Sequence, residues 1–232
     1  MRLLFIRHGE PDYTNDCLTE NGRVQAQATA RRLKGEGIKA IYSSPMGRAK
    51  ETASYTAREY GLDIQVLDFM HEIDWGSRPG STEELEYGGH PWSLGYRLLA
   101  EHPDCVGNSQ WADHPYFRDN ICMDYYEKVS KGIDGFLAGY GLLRQNGLYK
   151  CSECGDDTIA LFAHGGSGAI LLSHILNLPF PFVLVSMPYG VCSVSAVEFK
   201  NQRGDVIVPR LELFNDMGHI DSFKLEKLNF EK

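Results

Sequence analysis

The run Leu3-Leu4-Phe5-Ile6 constrains this chain more than any other stretch. Four apolar residues closed off by Gly9 and Pro11 read as a short buried strand. At its end stand Arg7-His8-Gly9-Glu10, a guanidinium, an imidazole, a glycine and a carboxylate. Open α/β sheets hold their ligands at the carboxyl ends of strands. An Arg beside a His there offers an anion clamp next to a nitrogen nucleophile whose charge changes near neutral pH. The plain alternative is a satisfied strand-end His with a surface Arg, and only the rest of the chain can decide between them.

The following residues alternate strand and helix. Pro11–Cys17 is a polar loop, and a helix runs from Thr19, a side-chain N-cap, to stop signals at Gly35 and Gly37, with Val24, Ala28 and Leu33 on one face. Ile38–Tyr42 is a second strand, broken at Ser43-Ser44-Pro45. The next helix carries Pro45 in its first turn and ends at Gly61. Ile64–Phe69 is a third strand. This β-α-β-α-β order implies parallel strands with right-handed crossovers. From Asp74 to about Arg118 the pattern gives way to Gly, Pro and aromatic residues, with one helix near Ser93–Glu101; an insertion of this length is expected to lie over the site as a lid. A long helix over Ile121–Asn146, a loop over Gly147–Asp157, a strand over Thr158–Ala163 and an apolar helix over Ala169–Leu178 follow. Val191–Phe199 and Val206–Phe214, joined by a turn at Asn201–Asp205, are the last strands and form an antiparallel edge. The tail from Met217 reads as polar and extended. The expectation is one α/β domain over 1–232, a three-layer α/β/α sandwich with a mostly parallel sheet.

Three further signals fall at strand ends. Ser43-Ser44-Pro45-Met46-Gly47-Arg48 puts Arg48 in the first turn of a helix, Glu72 follows the third strand, and His164-Gly165-Gly166 follows the fourth, where a helix N-terminus favours an anion. Two Arg, two His and a Glu thus converge on one rim.

With Arg7-His8-Gly9-Glu10, Ser-Ser-Pro-x-x-Arg-Ala-x-x-Thr-Ala around Arg48, Glu72 and His164-Gly165-Gly166, the chain resembles the histidine phosphatase superfamily in its phosphoglycerate mutase-like branch. Leu18-Thr19-Glu20-x-Gly22-Arg23-x-Gln25-Ala26 is of the same kind. The resemblance covers roughly residues 1–76 and 157–214 and leaves out the insertion. It implies the phosphoglycerate mutase-like fold, with His8 as the phosphorylated nucleophile and Arg7, Arg48 and His164 on the phosphoryl oxygens. Glu72 is the implied proton donor. A neutral imidazole suits that role, and Arg forks with a protonated His suit charge on equatorial oxygens, with no metal or cofactor required. Glu72 then needs a raised pKa, which Ile73 and Trp75 could help supply; pairing with Arg48 or Arg78 is its structural alternative. Where the glycolytic mutases continue with Trp-Asn, this chain runs Pro11-Asp12-Tyr13-Thr14-Asn15, which favours a phosphatase over a mutase. Thr14, Asn15, Gly165 and Arg78 are further candidate substrate contacts, with a surface role as the alternative for Arg78. Glu10 is left unassigned. A phosphomutase and a non-catalytic phosphate-binding protein of the same fold stay as rivals.

Composition bounds the partners. A net charge of −8 argues against nucleic acid and anionic membranes, while a local Arg/His cluster leaves a small phosphorylated metabolite open. No apolar run approaches a bilayer span, and the first is too short for a signal peptide, so a cytoplasmic location is expected. The scattered cysteines suit a reducing compartment, and Cys151-Ser-Glu-Cys154 reads as a polar turn before a metal or redox site. His90-Pro91, His102-Pro103 and His114-Pro115 recur every twelve residues; with Cys105 they could hold a metal, but three turns are the simpler account. The exposed aromatics could cover a site or a partner, including a second copy of the chain.

Overall fold

A computed structural model of the chain describes residues 1–81, 84–107, 109–152, 155–200 and 206–220. Its centre is a six-stranded sheet whose middle strands are the apolar runs. In chain order the elements are β1 (Arg2–Arg7), β2 (Pro11–Asp12), β3 (Cys17–Leu18), α1 (Glu20–Leu33), β4 (Ile38–Ser43), α2 (Gly47–Tyr60) and β5 (Ile64–Val66). Then come α3 (Pro91–Glu101), α4 (Pro115–Arg118), α5 (Cys122–Ala138), β6 (Leu142–Gln145), β7 (Leu148–Cys151) and β8 (Thr158–Ala163). The chain closes with α6 (Gly165–Leu176), α7 (Phe180–Ser186), β9 (Val194–Glu198), β10 (Val206–Ile207) and β11 (Arg210–Asp216).

The sheet order is β11-β9-β1-β8-β4-β5. β1, β8, β4 and β5 run parallel, whereas β9 is antiparallel to both β1 and β11, so the edge is antiparallel as expected. Side chains of the central strands alternate between two cores. Leu3, Phe5, Ile159 and Leu161 pack with Val129 and Ile133 of α5 and Ile170 of α6. Leu4, Ile6, Ala160 and Phe162 face Leu33 of α1 and Ala53 of α2. Burial on both faces is why β1 carries no polar alternation; each of its apolar side chains contributes about 1.5–3 kcal/mol by leaving water. The result is the three-layer α/β/α arrangement.

Local chemistry accounts for the boundaries, including those the sequence reading misplaced. Thr19 caps α1 by accepting from the Gly22 N–H, and Gly61 ends α2 in the left-handed region at φ 63°. The face of α1 is corrected: Gly22, Gln25, Ala26, Thr29, Ala30 and Leu33 are buried, whereas Val24 points to solvent. Pro45 precedes α2, whose N-cap is Met46. The third strand stops at Val66 and gives way to a 3-10 turn over Asp68–Met70.

The expected long helix ends at Ala138, and the rest of its span forms the hairpin β6–β7. Asn146 and Gly147, both at positive φ, make the two-residue turn. Val206–Phe214 is two strands, because Pro209 cannot continue a ladder. β10 joins β7 in a separate small sheet, while β11 borders β9. α7 was not anticipated: Pro179 and Pro181 look like breakers but sit at the start of a helix, where a missing N–H costs nothing. The Asn201–Asp205 turn, Cys154 and the tail beyond Ile220 lie outside the described residues. Cys151 is buried in β7.

The segment 74–118 is largely helical. Each of its His-Pro pairs stands at the start of a helix: His90 and His114 accept from the backbone N–H of Ser93 and Tyr116, and Pro91 and Pro115 occupy the first helical position. His102 ends α3, and Pro103 opens a 3-10 turn. Each His-Pro pair therefore marks the start of a helical turn.

Candidate active site

β1, β4 and β8 are parallel neighbours, so their carboxyl ends share one rim, and the side chains that follow them meet there. His8 is 1% exposed. Its Nδ1 lies 2.7 Å from the Gly9 carbonyl oxygen. A carbonyl only accepts, so Nδ1 carries the hydrogen and Nε2 keeps its lone pair. Arg48 donates from Nε to that Nε2 at 3.4 Å. The ring of His164 stands 5.1 Å from that of His8, with its Nε2 2.7 Å from the Ser44 hydroxyl. The Ser-Ser-Pro stretch thus positions the second histidine as well as starting α2.

Arg48 is buried to 4% exposure at the start of α2, where it is held by Asp16: Nη1 lies 2.6 Å from one carboxylate oxygen, and the other accepts from the Gly47 N–H at 2.6 Å. Burial opposes that charge, but the Gly47 amide and Arg48 outweigh it and keep the Asp16 carboxyl below its usual range. Gly47 leaves room for this contact, since a Cβ there would stand 2.1 Å from the Asp16 carbonyl oxygen. Arg7 donates to the Tyr189 carbonyl at 2.9 Å. Its Nε, like His164 Nδ1, is buried without a hydrogen-bond partner among the described residues.

Glu72 pairs with neither Arg48 nor Arg78. Its Oε1 accepts from the backbone N–H groups of Ile73, Gly166 and Ser167 at 3.0, 3.0 and 3.1 Å. The α6 N-terminus is therefore engaged by this carboxylate, which corrects the expectation that it would be open to an external anion. Burial raises the Glu72 pKa, and the amides and the two arginines only partly offset it. Gly166 is required here, because a Cβ would come within 2.3 Å of Ile73 and 2.8 Å of Glu72 Oε1. Burial, then the positive charge of Arg7, pushes the His8 pKa down to about 3. His164 is lowered too, by burial and then by its neighbours His8 and Arg48. Burial and the neighbouring positive charges thus both disfavour protonation of the two imidazoles.

The rim opens into a cavity of about 540 Å³. Arg7, Arg48, Glu72 and Gly165 line its inner end, and Glu10, Tyr13, Asn21, Gln25, Trp75, His90 and Trp92 are among the residues that complete the lining, with Val183, Leu184 and residues 187–191. Glu10 is organisational: its carboxylate accepts from the Thr19 hydroxyl at 2.8 Å and from Asn21 Nδ2 at 2.7 Å, bracing the N-terminus of α1. Thr14 and Asn15 do not line the cavity but close a turn on Asp12. Arg78 also stands outside it, held by Asp124 at 2.7 Å and by the Arg118 carbonyl at 3.0 Å. Sequence reasoning missed Asp16, Ser44 and Tyr13, whose ring lies 5.4 Å from the Arg48 guanidinium. The hints were a carboxylate and an aromatic in a loop following a strand-end histidine, and for Ser44 its place in the Ser-Ser-Pro motif.

Residues 3–103 match the sequence model of the histidine phosphatase superfamily (branch 1). The 2,3-bisphosphoglycerate-dependent phosphoglycerate mutase of Thermoplasma acidophilum is 38% identical over 87 residues, which is 33% of this chain and 44% of that protein. The match thus spans less than half of that curated relative. Similarity of fold extends further. Phosphoserine phosphatase of Entamoeba histolytica, solved with phosphoserine, superposes with a TM-score of 0.59 at 22% identity, covering 94% of this chain and 98% of that one. Mycobacterial glucosyl-3-phosphoglycerate phosphatase does so with a TM-score of 0.60 at 23% identity, over 92% and 98%. Residues 3–103 thus resemble the histidine phosphatase superfamily in sequence, and the chain as a whole shares the three-layer fold of these solved phosphatases.

Proposed function

We propose that the chain is a metal-independent phosphatase that hydrolyses a small phosphomonoester through a phosphohistidine at Nε2 of His8. The observation that carries this reading is the Nδ1 contact to the Gly9 carbonyl, which fixes the tautomer and leaves Nε2 as a neutral nucleophile beside two guanidinia. Nε2 attacks phosphorus, the P–O ester bond breaks, and the departing alkoxide takes the proton of Glu72. Water then attacks the phosphohistidine while the Glu72 carboxylate accepts its proton, which releases inorganic phosphate and restores His8. Arg7 and Arg48 hold the equatorial oxygens, and an oxyanion between Arg7 Nε and His164 Nδ1 would give both buried atoms a partner. The pKa shifts fit the division of labour: burial keeps His8 free of a proton and helps Glu72 retain one. Residues 74–118 act as the lid of a single domain, and Trp75, His90 and Trp92 face the leaving group.

The test is His8→Ala assayed with p-nitrophenyl phosphate, alongside rapid-quench trapping of phosphoenzyme and far-UV circular dichroism. Loss of both turnover and label with an unchanged spectrum supports the reading; full turnover by the variant overturns it. A mutase remains the second reading, because the Thermoplasma acidophilum relative is one. Exchange of phosphate between positions of a phosphoglycerate, without net release, would establish it.

A further inference from the structure

The two ends of the cavity differ in chemistry. Arg7 and Arg48 are the only guanidinium groups in its described lining, which contains no lysine, and both belong to the phosphoryl end. The other acids of the lining are Glu72, which serves as the proton donor in the phosphatase reading, and Glu10, which is already satisfied by Thr19 and Asn21. A substrate bearing a second anionic group would bring it toward Glu10 with no cation left to receive it. The far wall is apolar. Trp75, His90 and Trp92 form one aromatic cluster, with Trp92 stacked on His90 at 5.2 Å and Trp75 edge-on to His90 at 5.3 Å. Leu184 and Met187 add further apolar surface to the lining. Burial lowers the His90 pKa, so its ring adds no charge. The volume of the cavity is in the range that encloses a ring-sized organic group, well beyond a bare phosphate.

From this asymmetry we infer that the substrate is a phosphomonoester whose leaving group is an uncharged aromatic alcohol, held against Trp75 and Trp92, and not a phosphorylated carboxylic acid. The inference rests on the phosphatase reading for the placement of the phosphoryl group. Trp75 and Trp92 become the residues that set specificity, since ring packing adds to area burial while a desolvated carboxylate without a partner subtracts from binding.

The experiment measures equilibrium binding of three non-hydrolysable probes by isothermal titration calorimetry: benzylphosphonate, methylphosphonate and 3-phosphonopropionate. Benzylphosphonate is expected to bind at least about tenfold more tightly than either of the others. In Trp75→Ala, which removes a ring already 42% exposed, and in Trp92→Leu, that ratio is expected to fall to within about threefold. Equal binding of benzyl- and methylphosphonate, a preference for 3-phosphonopropionate, or an undiminished ratio in both variants would overturn the inference. Turnover of benzyl phosphate against ethyl phosphate, whose leaving groups have similar basicity, separates the two failures. Equal hydrolysis refutes the aromatic preference alone, whereas no hydrolysis of either ester and no phosphoenzyme refutes the phosphatase reading.

Discussion

The two ends of the cavity are built by different means. At the phosphoryl end, His8, Arg48 and His164 are nearly inaccessible, each held by a named partner on a strand end or helix start. Gly47 and Gly166 remove the side chains that would push Asp16 and Glu72 aside. At the far end, Trp75 is 42% exposed and Trp92 half-buried, on a turn and a short helix outside the central sheet. Positioning a nucleophile needs tolerances that only strands packed on both faces supply. Choosing a leaving group needs only a surface of the right character. Chemistry is therefore expected to fail steeply when the first end is altered, and selectivity to drift when the second is.

The largest effect should come from His8→Ala, a loss of about 10⁴-fold or more in kcat, read with p-nitrophenyl phosphate. Glu72→Gln comes next. It should slow an alkyl phosphate by about 10²–10³-fold and p-nitrophenyl phosphate by less than tenfold, because only the poor leaving group needs the proton. A uniform loss across both esters would assign Glu72 to binding instead.

Asp16→Asn tests whether the inner end depends on its braces. With the ion pair to Arg48 weakened, kcat/KM should drop about tenfold while thermal unfolding shifts little, since the Asp16 side chain is itself 40% exposed. An unchanged kcat/KM would mean that Arg48 is held by packing alone.

Acid should weaken the fold at this same end. His8 and His164 have folded pKa values below the unfolded one, so beneath about pH 6.5 the unfolded chain binds protons that the native chain refuses. Their contribution is full above that pH and is lost as pH falls from 6.5 toward 3. Urea midpoints at pH 7.5 and 5 should show the decline, and His8→Gln should flatten it. The smallest effect is expected at Arg78, whose partners are Asp124 and the Arg118 carbonyl. Arg78→Ala should change kcat/KM for any ester by less than about threefold.

The inner end was legible in the sequence because its residues follow apolar runs that can only be central strands. Arg7-His8 at the end of β1, Arg48 after β4 and His164 after β8 needed no long-range information once those strands were parallel. Glu72 was legible as a residue, whereas its three amide partners were not, two of them being more than ninety positions away. Asp16 could not be assigned to Arg48 for the same reason.

The far wall was less legible. Its aromatic richness was plain, but which rings face the cavity depends on where α3 and α4 begin, and the capping role of the His-Pro pairs settles that. Errors elsewhere share a cause. Gly139 caps α5 and Gly141 turns the chain at positive φ, so the span expected as one helix ends there and the β6–β7 hairpin begins. α7 was missed because proline stops a helix from inside and begins one from its first turn.

By itself, then, the sequence determined the double-sided burial of β1 and β8, the sheet class this enforces, and the identity of the histidines, arginines and glutamate at its rim. Tertiary structure alone decided the burial that lowers both imidazole pKa values, the engagement of the α6 N-terminus by Glu72, and the gathering of charged and aromatic groups around one cavity. Periodicity and chain order are local properties that a strand carries with it. Desolvation and hydrogen-bond partnership arise only when segments distant in the chain close around the same few atoms.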